Sequence, residues 1–250
     1  MSPAEARAFY EESYFRGGDY DDYRRDEEII KHNFERFARA IATRNPRGRL
    51  LEVGCAYGFF LDVAQRQWAV EGIDVSEAAI ASASERHSGR VYCGDLLTQP
   101  LESGAYDWVV AWDVIEHVDR PREYLRRMAE LLRPSGHLAM TTGDFGSLAA
   151  KLTGRRWRLL TPPSHLTYFT REGMCHALRE AGLADVKIGT AGYERSFSFM
   201  LFRLFGPSAA RRLFPPGSVR ARWVDCMRFY LDLGDVMLVI ARSATGGVIS

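Results

Sequence analysis

Lysine is nearly missing from this 250-residue chain, standing only as Lys31, Lys151 and Lys187, while arginine carries the rest of the positive charge. With a net charge of +1 and an isoelectric point near 7.7, there is no basic field to draw nucleic acid and no acidic excess of the disordered kind. Cysteine is also scarce. Cys55, Cys93, Cys175 and Cys226 stand far apart without CxxC spacing, which gives no sign of a zinc site or a disulfide framework and suits free thiols in a reducing compartment. No run of about 18 apolar residues appears, and the opening MSPAEARAFYEESYF lacks a basic stretch followed by an apolar one. The expectation is a cytoplasmic protein without a transmembrane segment.

The most informative absence is one glycine. Leu50 to Phe60 read L-L-E-V-G-C-A-Y-G-F-F, an apolar run, a glycine turn and the opening of a helix, as at the start of a nucleotide-binding βαβ unit. The dinucleotide pattern G-x-G-x-x-G would need glycine at 54, 56 and 59, where the chain has Gly54, Ala56 and Phe59. The turn has instead an acid at the strand end, Glu52, followed by Gly54, Cys55, Ala56 and Gly58.

Around this turn the chain alternates. Strands are expected at 49–53, 69–73, 90–93, 106–112 and 136–142, with helices at 58–66, 76–86 and 121–132 between them, which implies a parallel sheet covered on both faces. A helix at 171–181 leads to a strand at 183–189, and D-V-M-L-V-I-A-R from Asp235 closes the chain as a last strand. Before the sheet, Ile29, Ile30, Phe34, Phe37 and Ile41 form one helical stripe, so residues 1–48 read as a helical cap on a domain spanning 49–250. Two segments, 143–170 and about 190–234, are too long for plain connections, and the second is expected to be a mostly helical insert.

Acids recur at the carboxyl ends of the strands, where open parallel sheets bind ligands. G-I-D-V-S places Asp74 and Val75 after the second strand, in reach of both hydroxyls of a ribose. G-D-L-L places Asp95 and Leu96 after the third, suited to an adenine amino group and a ring nitrogen. W-D-V-I-E-H-V places Trp112, Asp113, Glu116 and His117 after the fourth. A pyrophosphate seeks a positive helix N-terminus. S-adenosylmethionine has no phosphate but carries a sulfonium and an ammonium group, which the acid Glu52 suits.

Together, E-V-G-C-A-Y-G, G-I-D-V-S, G-D-L-L, W-D-V-I-E-H-V and L-L-R-P-S-G-H-L resemble the successive motifs of class I S-adenosylmethionine-dependent methyltransferases, over about Arg49 to Thr142. The pattern is similar to the branch with ubiquinone-biosynthesis O-methyltransferases and bacterial small-molecule methyltransferases, with Ala56 standing for a glycine common in the family. The resemblance implies a Rossmann-like α/β fold with seven strands, the last antiparallel. It implies S-adenosylmethionine bound through Glu52, Gly54, Cys55, Ala56, Gly58, Asp74, Val75, Asp95, Leu96, Trp112 and Asp113. Trp112 has an alternative role as core filler.

Histidine titrates near neutral pH and suits proton removal from an acceptor. His165, in P-P-S-H-L, and His117 are the candidate bases, while His32, His87, His137 and His176 read as ordinary helix, loop and strand residues. Asp113, Glu116 and His117 share a face that would also suit a divalent cation, but a packing role is the simpler reading and no metal is expected. The N-terminal aromatics around Tyr14, the loop 143–170 and the insert are expected to converge over the cofactor, with Trp157, Tyr168, Phe169, Tyr193 and Phe197 gripping a small-molecule acceptor. The greasy S-F-S-F-M-L-F-R-L-F followed by arginines leaves three readings open: burial against the domain or a second subunit, a pocket for an apolar acceptor, or peripheral contact with a membrane. O-methylation is the leading expectation. N- or C-methylation, including of a lipid or quinone, and a non-catalytic cofactor-binding partner protein are the alternatives.

Overall fold

The computed structural model describes residues 27–197 and 228–244; Tyr14 and most of the insert lie outside the described residues. Helix α1 (Glu27–Ala42) precedes β1 (Arg49–Val53), α2 (Phe59–Ala64), β2 (Ala69–Asp74), α3 (Glu77–His87), β3 (Val91–Cys93) and β4 (Tyr106–Trp112). Then come α4 (Pro121–Leu131), β5 (Leu132–Gly143), α5 (Leu148–Thr153), α6 (Arg171–Glu180), β6 (Leu183–Thr190), β7 (Tyr193–Ser196), β8 (Arg228–Leu231) and β9 (Val236–Ser243). Seven strands form one sheet in the order β3-β2-β1-β4-β5-β9-β6, and β7 pairs with β8 as a separate ribbon. Strand β9 runs antiparallel to both β5 and β6, while β1 to β5 pair in parallel. The fold is therefore the Rossmann-like, seven-stranded α/β arrangement expected from the motifs.

Each strand sends alternate side chains to opposite faces, and both faces are dry. Leu51, Val53, Val109, Ala111, Leu138 and Met140 pack with Leu125 and Met128 of α4 and Met174 and Leu178 of α6. Leu50, Trp108, Val110 and Ala139 pack on the other face with Phe37 and Ile41 of α1 and Phe60 and Leu61 of α2. The expected stripe on α1 does bury Ile30, Phe37 and Ile41. Each such side chain contributes about 1.5–3 kcal/mol of burial, which is what holds α1 against the sheet. Helix starts follow local chemistry. The Ser76 hydroxyl caps α3, Ser147 caps α5, Thr170 caps α6 and Pro121 opens α4.

Two features depart from the sequence expectation. Strand β5 begins at Leu132, four residues early, because Leu132 pairs with Tyr106 ahead of a shift in register. The described ends of the insert are strands rather than helix: Tyr193 to Ser196 pair with Leu231 to Arg228. Because β1 lies between β2 and β4, whose connections leave in opposite directions, the topological switch point falls beside β1 at the carboxyl edge. There the loop Gly54 to Gly58 emerges.

Candidate active site

The loop after β1 is shaped by left-handed backbone. Gly54 and Gly58 have φ of 73° and 76°, and a β-carbon on Gly54 would lie 2.5 Å from Cγ2 of Val114, so glycine is required there. Ala56 takes φ 45° despite its side chain, and Asp74 explains how. Its Oδ2 accepts the Ala56 N–H at 2.8 Å and its Oδ1 accepts the Ser76 N–H at 2.9 Å, tying the loop to β2 and the start of α3. Burial pushes the Asp74 carboxyl up, and backbone donors pull it back.

The far side of the loop is anchored by residues the sequence did not single out. Asp62 on α2 meets His87 Nε2 at 2.7 Å, Arg86 at 3.0 Å and Lys31 of α1 at 2.8 Å. Arg86 also donates to the Tyr57 carbonyl at 2.5 Å. Burial opposes ionisation of Asp62, but hydrogen bonds from His87, Lys31 and Arg86 hold its carboxyl below the usual range. His87 read as an ordinary helix residue, yet it is fully buried beneath Gly58. Nothing local in the sequence marks a contact between residues 25 positions apart.

Glu52 lies under the same loop, only 2% exposed, and its Oε2 meets no hydrogen-bond partner. Burial, then the charges of Asp74 and Asp62, push its carboxyl well above the ordinary value. This is an electron-rich group at the cofactor turn with no cation facing it among the described residues. Cys55, by contrast, turns its side chain into the core and presents only backbone to the loop. Val75 likewise stands in the turn between β2 and α3, where its carbonyl meets Cys93 Sγ at 3.9 Å.

Asp95 caps its own turn, its Oδ1 accepting the Leu97 N–H at 2.8 Å, and Leu96 buries its side chain. Trp112 stacks on Phe37, with ring centres 4.9 Å apart, and meets Phe60 edge-on. It therefore joins α1 and α2 to the sheet, the alternative role anticipated for it. Asp113, at φ 53°, is held as a clasp. Thr141 Oγ1 donates to Oδ1 at 2.7 Å and the Tyr193 hydroxyl to Oδ2 at 2.8 Å. The Tyr193 ring also stands edge-on to Phe37. Tyr193 thus binds the β7 strand to the end of β4, and burial and the Asp113 charge raise its phenol well above the usual value.

The loop after β5 folds back over the end of β4. The Glu116 carbonyl accepts the N–H groups of Leu166 at 2.8 Å and Thr167 at 3.1 Å, and His117 Nδ1 lies 2.9 Å from the Ser164 carbonyl. A carbonyl can only accept, so Nδ1 is the protonated nitrogen and the neutral ring carries its lone pair on Nε2. The His117 and His165 rings stand edge to face with centres 4.7 Å apart, and Tyr168 lies 6.2 Å beyond His165. The two histidines proposed from distant motifs are thus neighbours. Glu116, His117 and His165 each offer a ligand atom within 4.8 Å of the others, a set that could hold a metal ion. Trp157 and Phe169 support this loop from below. Trp157 is 4% exposed with its indole N–H on Asp235 at 3.0 Å, and Phe169 packs in the core. Phe197 is half-buried at the edge of the described residues.

A family profile described as a methyltransferase domain matches residues 20–188. The chain belongs to that family. It is a class I S-adenosylmethionine-dependent methyltransferase domain, distantly related to small-molecule methyltransferases. A ubiquinone biosynthesis O-methyltransferase of Caulobacter vibrioides is 38% identical over 123 residues, covering 46% of this chain and 49% of the relative. A biotin biosynthesis bifunctional protein of Cellvibrio japonicus is 26% identical over 141 residues, covering 55% of this chain and 28% of the relative. The chain spans about half or less of the length of such curated relatives. Among solved structures, a methyltransferase of Thermotoga maritima described as a possible histamine N-methyltransferase superposes with a TM-score of 0.62 at 16% identity. It covers 96% of this chain and 100% of its own. The cyclase SpnF shares the fold at a TM-score of 0.56 and 23% identity, covering 85% and 81%.

The position of Glu116 has a consequence for stability. Burial, then the charge of Asp113, move its carboxyl from the ordinary 4.5 up to about 8. Between those values the folded chain keeps a proton that the unfolded chain has lost, so this group's contribution is full below 4.5 and fades as the pH rises to about 8. Glu116→Gln copies the protonated form. Urea denaturation should show the variant more stable than the wild type above pH 8 and the two converging near 4.5; parallel curves across that window would refute the assignment.

Proposed function

We propose that this protein transfers a methyl group from S-adenosylmethionine to an oxygen of a small organic acceptor. The observation that supports it best is the buried Glu52 oxygen without a partner, which fits a cationic ligand at a loop whose dinucleotide counterpart serves an anion. When bound, the cofactor supplies a methyl group already activated by its sulfonium. Glu52 would hold the ammonium end, and Asp74 would accept from the ribose with the lone pairs that Ala56 and Ser76 leave. The Leu96 N–H and Asp95 would meet the adenine.

What remains for the protein is placement and one proton. Holding the acceptor at attack distance and excluding water is worth on the order of 7–11 kcal/mol. The loop docked on the Glu116 carbonyl brings His165 over the end of β4. His165 takes the acceptor's hydroxyl proton, and the ring of His117, fixed by Ser164, sets the orientation of His165. The O-methyltransferase names of the relatives favour oxygen over nitrogen. Glu116 and His117 are already engaged in holding the loop, through the Glu116 carbonyl and the bond from His117 to Ser164, and we read the trio as metal-free.

Three outcomes check this reading. The ammonium favours ionised Glu52, whereas burial favours its protonated form, so cofactor binding should be accompanied by proton release and tighten as pH rises. Calorimetry in two buffers of different ionisation enthalpy measures that release; Glu52→Gln should abolish it and weaken binding about tenfold to a hundredfold. Identical proton release in the variant would remove Glu52 from the site. His165→Ala should lower kcat about a hundredfold on hydroxylated acceptors while leaving cofactor affinity unchanged. Full turnover in the variant, or product only with amine acceptors, would count against a hydroxyl base. Activity should also persist in a chelator; loss that magnesium or zinc restores would make Glu116, His117 and His165 metal ligands instead.

A further inference from the structure

We propose that helix α5 and the turn after it are a docking surface for an anionic lipid membrane, next to the mouth of the site. The segment 145–171 holds no aspartate or glutamate, although acidic and basic residues nearly balance over the whole chain. Two of its five basic residues are neutralised locally: Arg158 pairs with Asp235 at 2.8 Å and Arg171 with Asp144 at 2.8 Å. Lys151, Arg155 and Arg156 are exposed and make no ion pair among the described residues.

The apolar half of the surface lies between those charges. Leu148 and Leu152, one helical turn apart, are 71% and 77% exposed, Phe145 is 47% exposed and Leu166 37%. Leu148 and Leu152 are the most exposed leucines among the described residues, and they share one face of a helix. Apolar side chains at helical spacing, flanked by arginine and lysine without acids, are the composition that lies in a lipid interface with its charges at the headgroups. Lys151, Arg155 and Arg156, with no acid anywhere in 145–171, match a headgroup layer of a single negative sign.

The placement adds a reason. Phe145 packs against Trp157 and Tyr168, and Tyr168 against His165, so the surface continues into the wall beside the candidate base. An acceptor dissolved in the bilayer would enter there without crossing water. The docking claim itself does not depend on the methyl-transfer reading, because it is measured without turnover.

Flotation of the full chain with vesicles of phosphatidylcholine alone, or mixed with phosphatidylglycerol, tests it. Wild-type protein should float with the mixed vesicles and not with the neutral ones, and salt should release it. Joint replacement Lys151→Ala, Arg155→Ala and Arg156→Ala should weaken binding about a hundredfold, as should Leu148→Asp with Leu152→Asp, with melting temperature unchanged. Leu152→Ser alone, at a site open to solvent, should move binding in the same direction and guards against a misfolded double variant. The proposal fails if no vesicle is bound or if the variants float like wild type, which would place any contact elsewhere, for instance in 198–227. It fails equally if ultracentrifugation shows a dimer that the leucine variants dissociate, which would make a second copy the occupant.

Discussion

A carboxyl group buried with one oxygen unpartnered is costly, and in this fold Glu52 is such a group, beneath the loop that the rest of the site is organised around. An isolated carboxylate away from water would neutralise itself by taking up a proton, and that is the direction in which burial and the charges of Asp74 and Asp62 push it. Burial therefore favours the protonated form. A ligand bringing a positive charge would reverse it. The two glycines and the left-handed Ala56 are then parts of one device: a turn tight enough to leave Glu52 close to whatever enters, held open by Asp74 on one side and by the Asp62, His87 and Arg86 group on the other.

The acceptor side is built by a different means. Where the loop after β1 is fixed by side-chain carboxylates on backbone N–H groups, the 161–170 loop is fixed by backbone bonds to the Glu116 carbonyl and by the His117 side chain on the Ser164 carbonyl. Its outer supports are two buried acids, Asp144 and Asp235, each neutralised by an arginine of the same segment. The acids are buried while Arg158 and Arg171 are partly exposed, so removing either arginine would leave a buried carboxylate unpaired, and the pairs fix a geometry more than they strengthen the fold. Because His117 and Glu116 belong both to the strand end and to the loop contact, the position of His165 is tied to the sheet itself.

Much of this was legible in the chain. Strands β1, β2 and β4 and helices α3, α4 and α6 fell within one or two residues of expectation, because buried parallel strands read as apolar runs and most of these elements are bounded by glycine, proline or a capping hydroxyl. The placement of Glu52, Asp74 and Asp95 at the strand ends was legible because their spacing is local to each strand end. The β7 and β8 ribbon was not, since its strands are four residues long, lie over 30 positions apart and carry as many polar as apolar residues. Trp157 was read as an acceptor contact because aromatic residues in a long loop suit that use. The partner that buries it, Asp235, is 78 residues away, and pairings across such distances leave no periodic trace. The same limit hid Asp62 with His87 and Thr141 with Asp113.

The division between what was and was not legible follows the division between fold and function. A sheet that supports both named methyltransferases and a cyclase cannot by itself say which reaction it carries; only side chains at the carboxyl edge can. Here those side chains sort by charge. The β1 and β2 ends offer acids, Glu52 and Asp74, and suit a cation. The β4 end and the loop over it bring together two imidazoles, His117 and His165, beside the Glu116 carboxyl. A site for an anionic cosubstrate would need that order inverted, with positive donors at the glycine loop. What separates one reaction from another on this fold is therefore carried by Glu52 and Asp74 on one side of the edge and by His117 and His165 on the other.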